Sequence, residues 1–348
     1  MKIAILRESK RDAQSRIVEN RVVMPPDVVE KLISALPHTR VFVEAHAGQK
    51  IGHTDKEYEA VGAKMVSHTQ AFKADLVLGV KETQYTDFHN IHKNNIVISF
   101  QHFAASGYRT KKAKSTKATY ICLETIQIDN KFPCLAPMSE AAAKVVARHA
   151  DMFALINQKT IASGLSFKES KRLKVTILGA GTVGKTAARE FSARGLEVHL
   201  LDRPNIGKLK KSIEGSFFVV SAMYCAGACP EKLVTKELLN KMIPGGCAYP
   251  VDIDQGGGIE GVKETSILDP FKLPKIKGTN IYHFAPPNLP SLGAQNASEA
   301  LGHVILPYVI EIVKKGIEKA ARENPAIKNG INIQNGEIVH PGLASVFN

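Results

Sequence analysis

The chain has 348 residues, room for two domains of ordinary size, and its 44% hydrophobic content is enough for sizeable cores. No uncharged apolar stretch of about 18 residues occurs, which argues against a membrane span. The net charge of +13 is not interleaved with aromatic residues, as nucleic-acid binding would require. Basic runs such as RTKKAKSTK (109–117) and KESKRLK (168–174) therefore read as solvated surface, with a field that attracts small anions.

The opening MKIAILRESKRD turns charged too soon for a signal peptide, so residues 2–6 are expected to form a buried strand. Residues 26–36 (PDVVEKLISAL) follow as a helix with proline at its start, then 40–44 (RVFVE) as a strand. Residues 55–63 read as a helix, and 74–80 (ADLVLGV), 95–99 (NIVIS) and 119–123 as strands. Alternation of this kind predicts a parallel sheet covered by helices. Residues 139–156 predict a long helix capped by Ser139, and 297–321 predict a second, kinked at Pro307. The closing residues 330–341 are expected to pack back on the first domain. Five scattered cysteines (Cys122, Cys134, Cys225, Cys229, Cys247) fit reduced thiols of a cytoplasmic protein. Cys225 and Cys229 lack a second pair to complete a zinc site, so no metal is expected.

Between the long helices lies the most specific motif. A strand at 173–178 (LKVTIL) runs into Gly179-Ala180-Gly181-Thr182-Val183-Gly184, then into a helical segment. A second strand, 197–201, ends at Asp202. Gly179 permits the tight turn, Gly181 lets a pyrophosphate approach the backbone, and Gly184 lets helix and strand pack closely. The acid about 20 residues on completes a dinucleotide fingerprint. Asp202 would bond a ribose 2′-hydroxyl, which favours NAD, although the adjacent Arg203 could pair with a 2′-phosphate instead. Only about fourteen residues separate Asp202 from the next apolar strand (217–222), so the sheet is expected to lack one edge strand.

Several ionisable residues follow predicted strands, where ligands gather in α/β sheets. They are Lys81 and Glu82, His102, and Asp254 ahead of a glycine run. Each also has a bland reading as a loop charge, a half-buried histidine or a turn cap. Together with Asn20-Arg21-Val22, residues 44–62, Gln101-His102-Phe103, Leu135–Glu140 (LAPMSE), ILGAGTVG at 177–184 and Asp254-Gln255-Gly256-Gly257, they make the chain resemble alanine dehydrogenases and transhydrogenase alpha subunits over nearly its whole length.

That resemblance implies the reversible, NAD-dependent deamination of L-alanine to pyruvate and ammonium. It implies that Arg21 and Lys81 bind the substrate carboxylate and carbonyl oxygen, that His102 is the general acid/base, and that Asp254 stands beside the reacting carbon. It places Ser139 and Asn288 at the cofactor, and implies a homo-oligomer, hexameric in the family. The expected fold is α/β with two Rossmann-like domains: an outer discontinuous substrate domain (1–138 and 289–348), and an inserted, shortened NAD-binding domain (139–288), joined by long helices.

Three departures from the family pattern keep alternatives open. The segment before Arg21 is longer, so Arg16 competes for its role. The cofactor half is shortened. Residues 283–292 (HFAPPNLPSL) carry extra proline, as in opine- and saccharopine-type enzymes that condense an amino acid with a keto acid. A dinucleotide-binding relative without turnover is the third reading.

Overall fold

The computed structural model describes residues 1–11, 15–129, 131–156, 173–223 and 230–347. They form two compact units: Met1–Met138 with Ala294–Asn348, and Ser139–Gly293. In chain order the strands are β1 (Lys2–Ile5), β2 (Arg40–Glu44), β3 (Lys64–Val66), β4 (Leu76–Leu78), β5 (Ile96–Ser99) and β6 (Thr119–Cys122). Then come β7 (Lys174–Leu178), β8 (Glu197–Leu201), β9 (Ser216–Ser221), β10 (Cys247–Pro250), β11 (Tyr282–His283), β12 (Ile331–Gln334) and β13 (Glu337–Ile338).

The first unit's sheet has the order β13-β12-β6-β5-β4-β1-β2-β3. From β3 to β6 it is parallel. This 3-2-1-4-5-6 order is the doubly wound arrangement, in which ligands gather where the order reverses, here between β1 and β4. The pattern has a plain cause. Strands such as LVL of β4 and IVIS of β5 are buried throughout and need helices on both faces. The helix Pro26–Ala35 supplies part of that cover, burying Val28, Val29 and Leu32 on one stripe. The closing segment adds β12 antiparallel to β6, as expected, and turns into β13 through Asn335-Gly336. Both turn residues have positive φ (53° and 86°), the conformation that an Asn-Gly hairpin turn requires.

The described residues of the second unit hold five parallel strands in the order β11-β10-β9-β7-β8. Between β8 and β9 the chain makes only a 3-10 turn, Arg203–Lys208, and a short helix, Leu209–Ile213. Among the described residues β8 is therefore the sheet's edge, and no strand pairs beyond it. Phe153, Phe191, Phe217 and Phe218 pack with Val175 and Ile177 into the core on one face of this sheet.

Two expectations about the long helices are corrected. The first helix runs Leu135–Ile156, so Ser139 lies inside it and does not cap it. Pro137 falls in the first turn, where its missing N–H costs nothing, and the Phe132 carbonyl accepts the Leu135 and Ala136 amides. The second helix runs Ala294–Lys315 with Pro307 inside it and stops short of residue 321; the break comes at Gly316 (φ 74°), ahead of a separate helix, Ile317–Glu323. Buried Leu301, Ile305, Val309 and Ile312 at helical spacing hold the helix together through the proline. Gly316 ends it because glycine enters the left-handed region without steric cost.

Among the described residues no helix is long and apolar enough to cross a membrane. Cys122, Cys134 and Cys247 are free and buried; Cys225 and Cys229 lie outside the described residues.

Candidate functional site

In the first unit, residues at the ends of β1 and β4 line an open cleft, among them Arg7, Glu8, Lys81, Glu82 and Thr83. His102 lies just beyond β5, the strand next to β4. Its backbone is left-handed (φ 49°, ψ 42°). Its Nδ1 lies 2.9 Å from Oε1 of Glu82. An ionised carboxylate only accepts hydrogen bonds, so Nδ1 carries the proton and Nε2 is left to exchange protons with a bound molecule. The imidazole is 41% exposed, whereas the Glu82 side chain is 9% exposed, so the working group is reachable and its anchor is not.

Charges around Glu82 alternate in sign. Burial alone would raise its carboxyl, but the hydrogen bond from His102 and the charges of Lys81, His102 and Lys10 hold it well below the usual carboxylate range. Lys10 Nζ stands 3.3 Å from it. Across the cleft, burial and the neighbouring Glu19 push Glu8 up to about 7, against the pull of Arg21 and two backbone amides. Glu19 has the opposite balance: burial is outweighed by Arg21, and its carboxyl falls to about 2.

Arg21 is buried and holds Glu19 through both oxygens, Nε to Oε1 at 2.8 Å and Nη2 to Oε2 at 2.7 Å. Nη1 points at the Met138 sulfur, 2.8 Å away. It lines a second cleft with Glu8, Glu19, Asn20 and Lys50; Arg16 lines neither cleft. Gln101, a residue without a role in the sequence reading, ties the two turns together. Its Nε2 donates to Ser99 Oγ (2.8 Å) and Thr83 Oγ1 (2.9 Å). Its Oε1 accepts the Thr83 amide at 3.2 Å.

In the second unit the glycine loop follows β7. Gly179 has φ +101°, and a Cβ there would come 2.4 Å from the Ala222 carbonyl oxygen. A Cβ on Gly184 would come 1.8 Å from the Gly179 carbonyl oxygen. Gly181 differs: a Cβ would meet nothing within 4 Å. It caps the helix Thr182–Ala193, and both Gly181 and Thr182 are exposed. The two outer glycines thus serve the fold, while the middle one leaves open space above helix amides. Residues Gly179, Ala180, Gly181, Thr182, Val183 and Gly184 therefore fit a pyrophosphate.

Asp202 ends β8, exposed, its carboxylate accepting the Arg203 amide at 2.9 Å as part of a capping box with Asn205. Asp254 is exposed on the 3-10 turn Ile253–Gln255, followed by Gly256 and Gly257, both at positive φ. Asn288 is buried with φ 71°. Ser139 is half-buried within its helix. Asp252 escaped the sequence reading because it sits in an apolar run. It is buried, accepts the Ser221 hydroxyl at 2.5 Å, and burial raises its carboxyl. No cluster of three or more metal-ligating side chains occurs among the described residues.

Residues 4–142 match the family model for the alanine dehydrogenase/PNT N-terminal domain, and residues 203–341 match that for the alanine dehydrogenase/PNT C-terminal domain. Alanine dehydrogenase 1 of Staphylococcus aureus (strain NCTC 8325 / PS 47) is 31% identical over 373 residues, covering 99% of this chain and 96% of that protein. The chain belongs to the alanine dehydrogenase family. Among solved structures, an L-alanine dehydrogenase matches with a TM-score of 0.87 at 28% identity, covering 100% of this chain and 99% of that one. A transhydrogenase from Sinorhizobium meliloti shares the fold, with a TM-score of 0.76 at 20% identity over 98% of this chain and 99% of that one. Like the family, the chain is an NAD-dependent amino-acid dehydrogenase.

The geometry at Asp202 gives a test of cofactor choice. Asp202→Ala is expected to weaken NAD binding and to narrow the gap between NAD and NADP, because a 2′-phosphate is no longer repelled. Titrating both dinucleotides onto native and variant protein measures this. Native protein that binds NADP at least as tightly as NAD would make Arg203 the determinant and remove Asp202 from the role.

Proposed function

We propose that this enzyme catalyses the reversible oxidative deamination of L-alanine: alanine, NAD⁺ and water give pyruvate, ammonium, NADH and a proton. The observation that carries this reading is the imidazole of His102, held at Nδ1 by Glu82 and exposed at the end of the strand next to the one that leads to Lys81. Deamination passes through an imine and a carbinolamine, and each step moves a proton at near-neutral pH, which an imidazole does well. Nε2 of His102 takes the proton of the water that adds to the imine, and returns one as ammonia leaves.

Lys81 and Arg21 supply the cations that a small α-keto acid needs. Arg21, oriented by its two-point pairing with Glu19, faces the carboxylate, and Lys81 steadies the carbonyl oxygen. Asp254 steadies the iminium cation. The glycine loop and Asp202 hold NAD, which accepts the substrate hydride when bound. The homo-oligomer and the cytoplasmic location belong to the same proposal; the free, buried thiols suit a reducing compartment.

NADH absorbance under three amine conditions tests it. Turnover of pyruvate with ammonium is the expected result. Turnover only when an amino acid replaces ammonium would mark an opine-type enzyme instead, and NAD binding without turnover on any keto acid would mark a binding protein.

A further inference from the structure

The two turns that carry Lys81 and His102 are each gripped from the outside by a carboxylate. After β1, Glu8 accepts the Val80 amide at 2.5 Å and the Lys81 amide at 3.3 Å. After β6, Glu124 accepts the His102 amide at 2.6 Å and the Gln101 amide at 3.2 Å. β1 flanks β4, and β6 flanks β5. The arrangement is therefore repeated on both sides of the central strand pair: two consecutive amides of a strand-end turn point at one carboxyl group that follows the neighbouring strand.

Two details show that these grips are built. A Cβ on Gly79 would come 3.2 Å from Glu8 Oε1, close enough to push the carboxyl back by a few tenths of an ångström, so the glycine ahead of Val80 gives the grip its room. His102 lies in the left-handed region, which residues other than glycine rarely occupy. A charge-assisted hydrogen bond to its own amide is the kind of interaction that holds such a backbone in place.

We propose that Glu8 and Glu124 are positioning residues for the dehydrogenase reaction, Glu8 setting Lys81 and Glu124 setting His102. The proposal rests on the reading that Lys81 and His102 carry the chemistry. Each carboxylate acts through a backbone: it fixes the turn, and the turn fixes where the side chain points. With Glu124 gone, His102 relaxes toward ordinary φ and its ring leaves Glu82. With Glu8 gone, the Lys81 ammonium drifts. Misplacement of about 1 Å costs on the order of 10²-fold in rate.

Double-variant cycles on the full chain test this, with turnover of NADH, pyruvate and ammonium as one readout and hydrogen exchange at the Gln101 and His102 amides as another. Glu124→Ala is expected to lower kcat roughly 10- to 100-fold, to speed exchange at both amides, and to leave NAD affinity unchanged. In a His102→Ala background it should cost nothing more, because it acts through that residue. Glu8→Ala and Lys81→Ala should show the same non-additivity. Glu124→Gln, which keeps one acceptor oxygen and the side-chain volume, should recover part of the loss.

If Glu124→Ala keeps native kcat and native exchange while His102→Ala is inactive, the positioning role is wrong and the reading of His102 stands. Losses that simply multiply in the double variants would also overturn it, since they indicate general damage. If His102→Ala itself turns over normally, the reading of the site fails and takes this proposal with it.

Discussion

Replacing His102 by alanine is expected to lower turnover roughly 10²- to 10⁴-fold, the usual worth of a positioned general acid/base. The expectation comes from an asymmetric imidazole: Nδ1 is tied to Glu82 at 2.9 Å, and the ring is otherwise open. The other imidazole at this cleft, His68, has a different setting. His68 is held at both nitrogens, by Glu44 at 3.0 Å and Asp87 at 3.1 Å, and has none left to work with. NAD affinity should stay at the native value, because the glycine loop belongs to the other unit. The pH profile of kcat should lose one limb. Steady-state kinetics across pH, with NAD titration as control, measures all three. Near-native turnover with an unchanged profile would return His102 to being an ordinary half-buried histidine.

The second large effect is expected in the glycine loop, where two neighbouring glycines should fail in different ways. Gly184→Ala forces a Cβ to within 1.8 Å of the Gly179 carbonyl oxygen, so the loop or the following helix must move. Overpacking of this kind costs about 1–3 kcal/mol, occasionally more, so both Tm and NAD affinity should fall. Gly181→Ala meets no protein atom within 4 Å and should leave Tm unchanged. Its methyl group instead occupies the space a pyrophosphate needs, so NAD affinity should fall at least tenfold, roughly the effect of 1.4 kcal/mol. Thermal melts and NAD titrations of the two variants separate the roles. Native NAD affinity in Gly181→Ala would mean that the phosphates do not lie above this loop.

The sequence was most informative where chemistry and period are local. The glycine fingerprint, the buried apolar strands and the short crossover after Asp202 all show within about 30 residues, and each appears in the fold. β3, only KMV, is too short for any alternation to stand out. The helix start at Leu135 was misplaced because Ser139 has the chemistry of an N-cap, although the helix begins a turn earlier with Pro137 tolerated in its first turn. The break at Gly316 was missed because apolar residues keep helical spacing on both sides of it, so 297–321 reads as one helix.

Among the functional groups, Lys81, His102 and Asp254 stood out because each is polar directly after an apolar run. Their partners did not. Glu8 meets Lys81 across 73 positions of sequence, and Glu124 meets His102 across 22, so only the strand order brings them together. The Glu19–Arg21 pair spans just two positions. It was legible in principle, but neither residue announces that it will be buried.

The most direct test of the account is the fate of nitrogen. Native enzyme, NADH, pyruvate and ¹⁵N-ammonium are incubated together, and the product is read by mass spectrometry alongside NADH loss. The account predicts ¹⁵N-alanine formed one-for-one with NADH consumed, with no product in His102→Ala on the same timescale. NADH consumption that does not depend on ammonium, or a product without ¹⁵N, would contradict it.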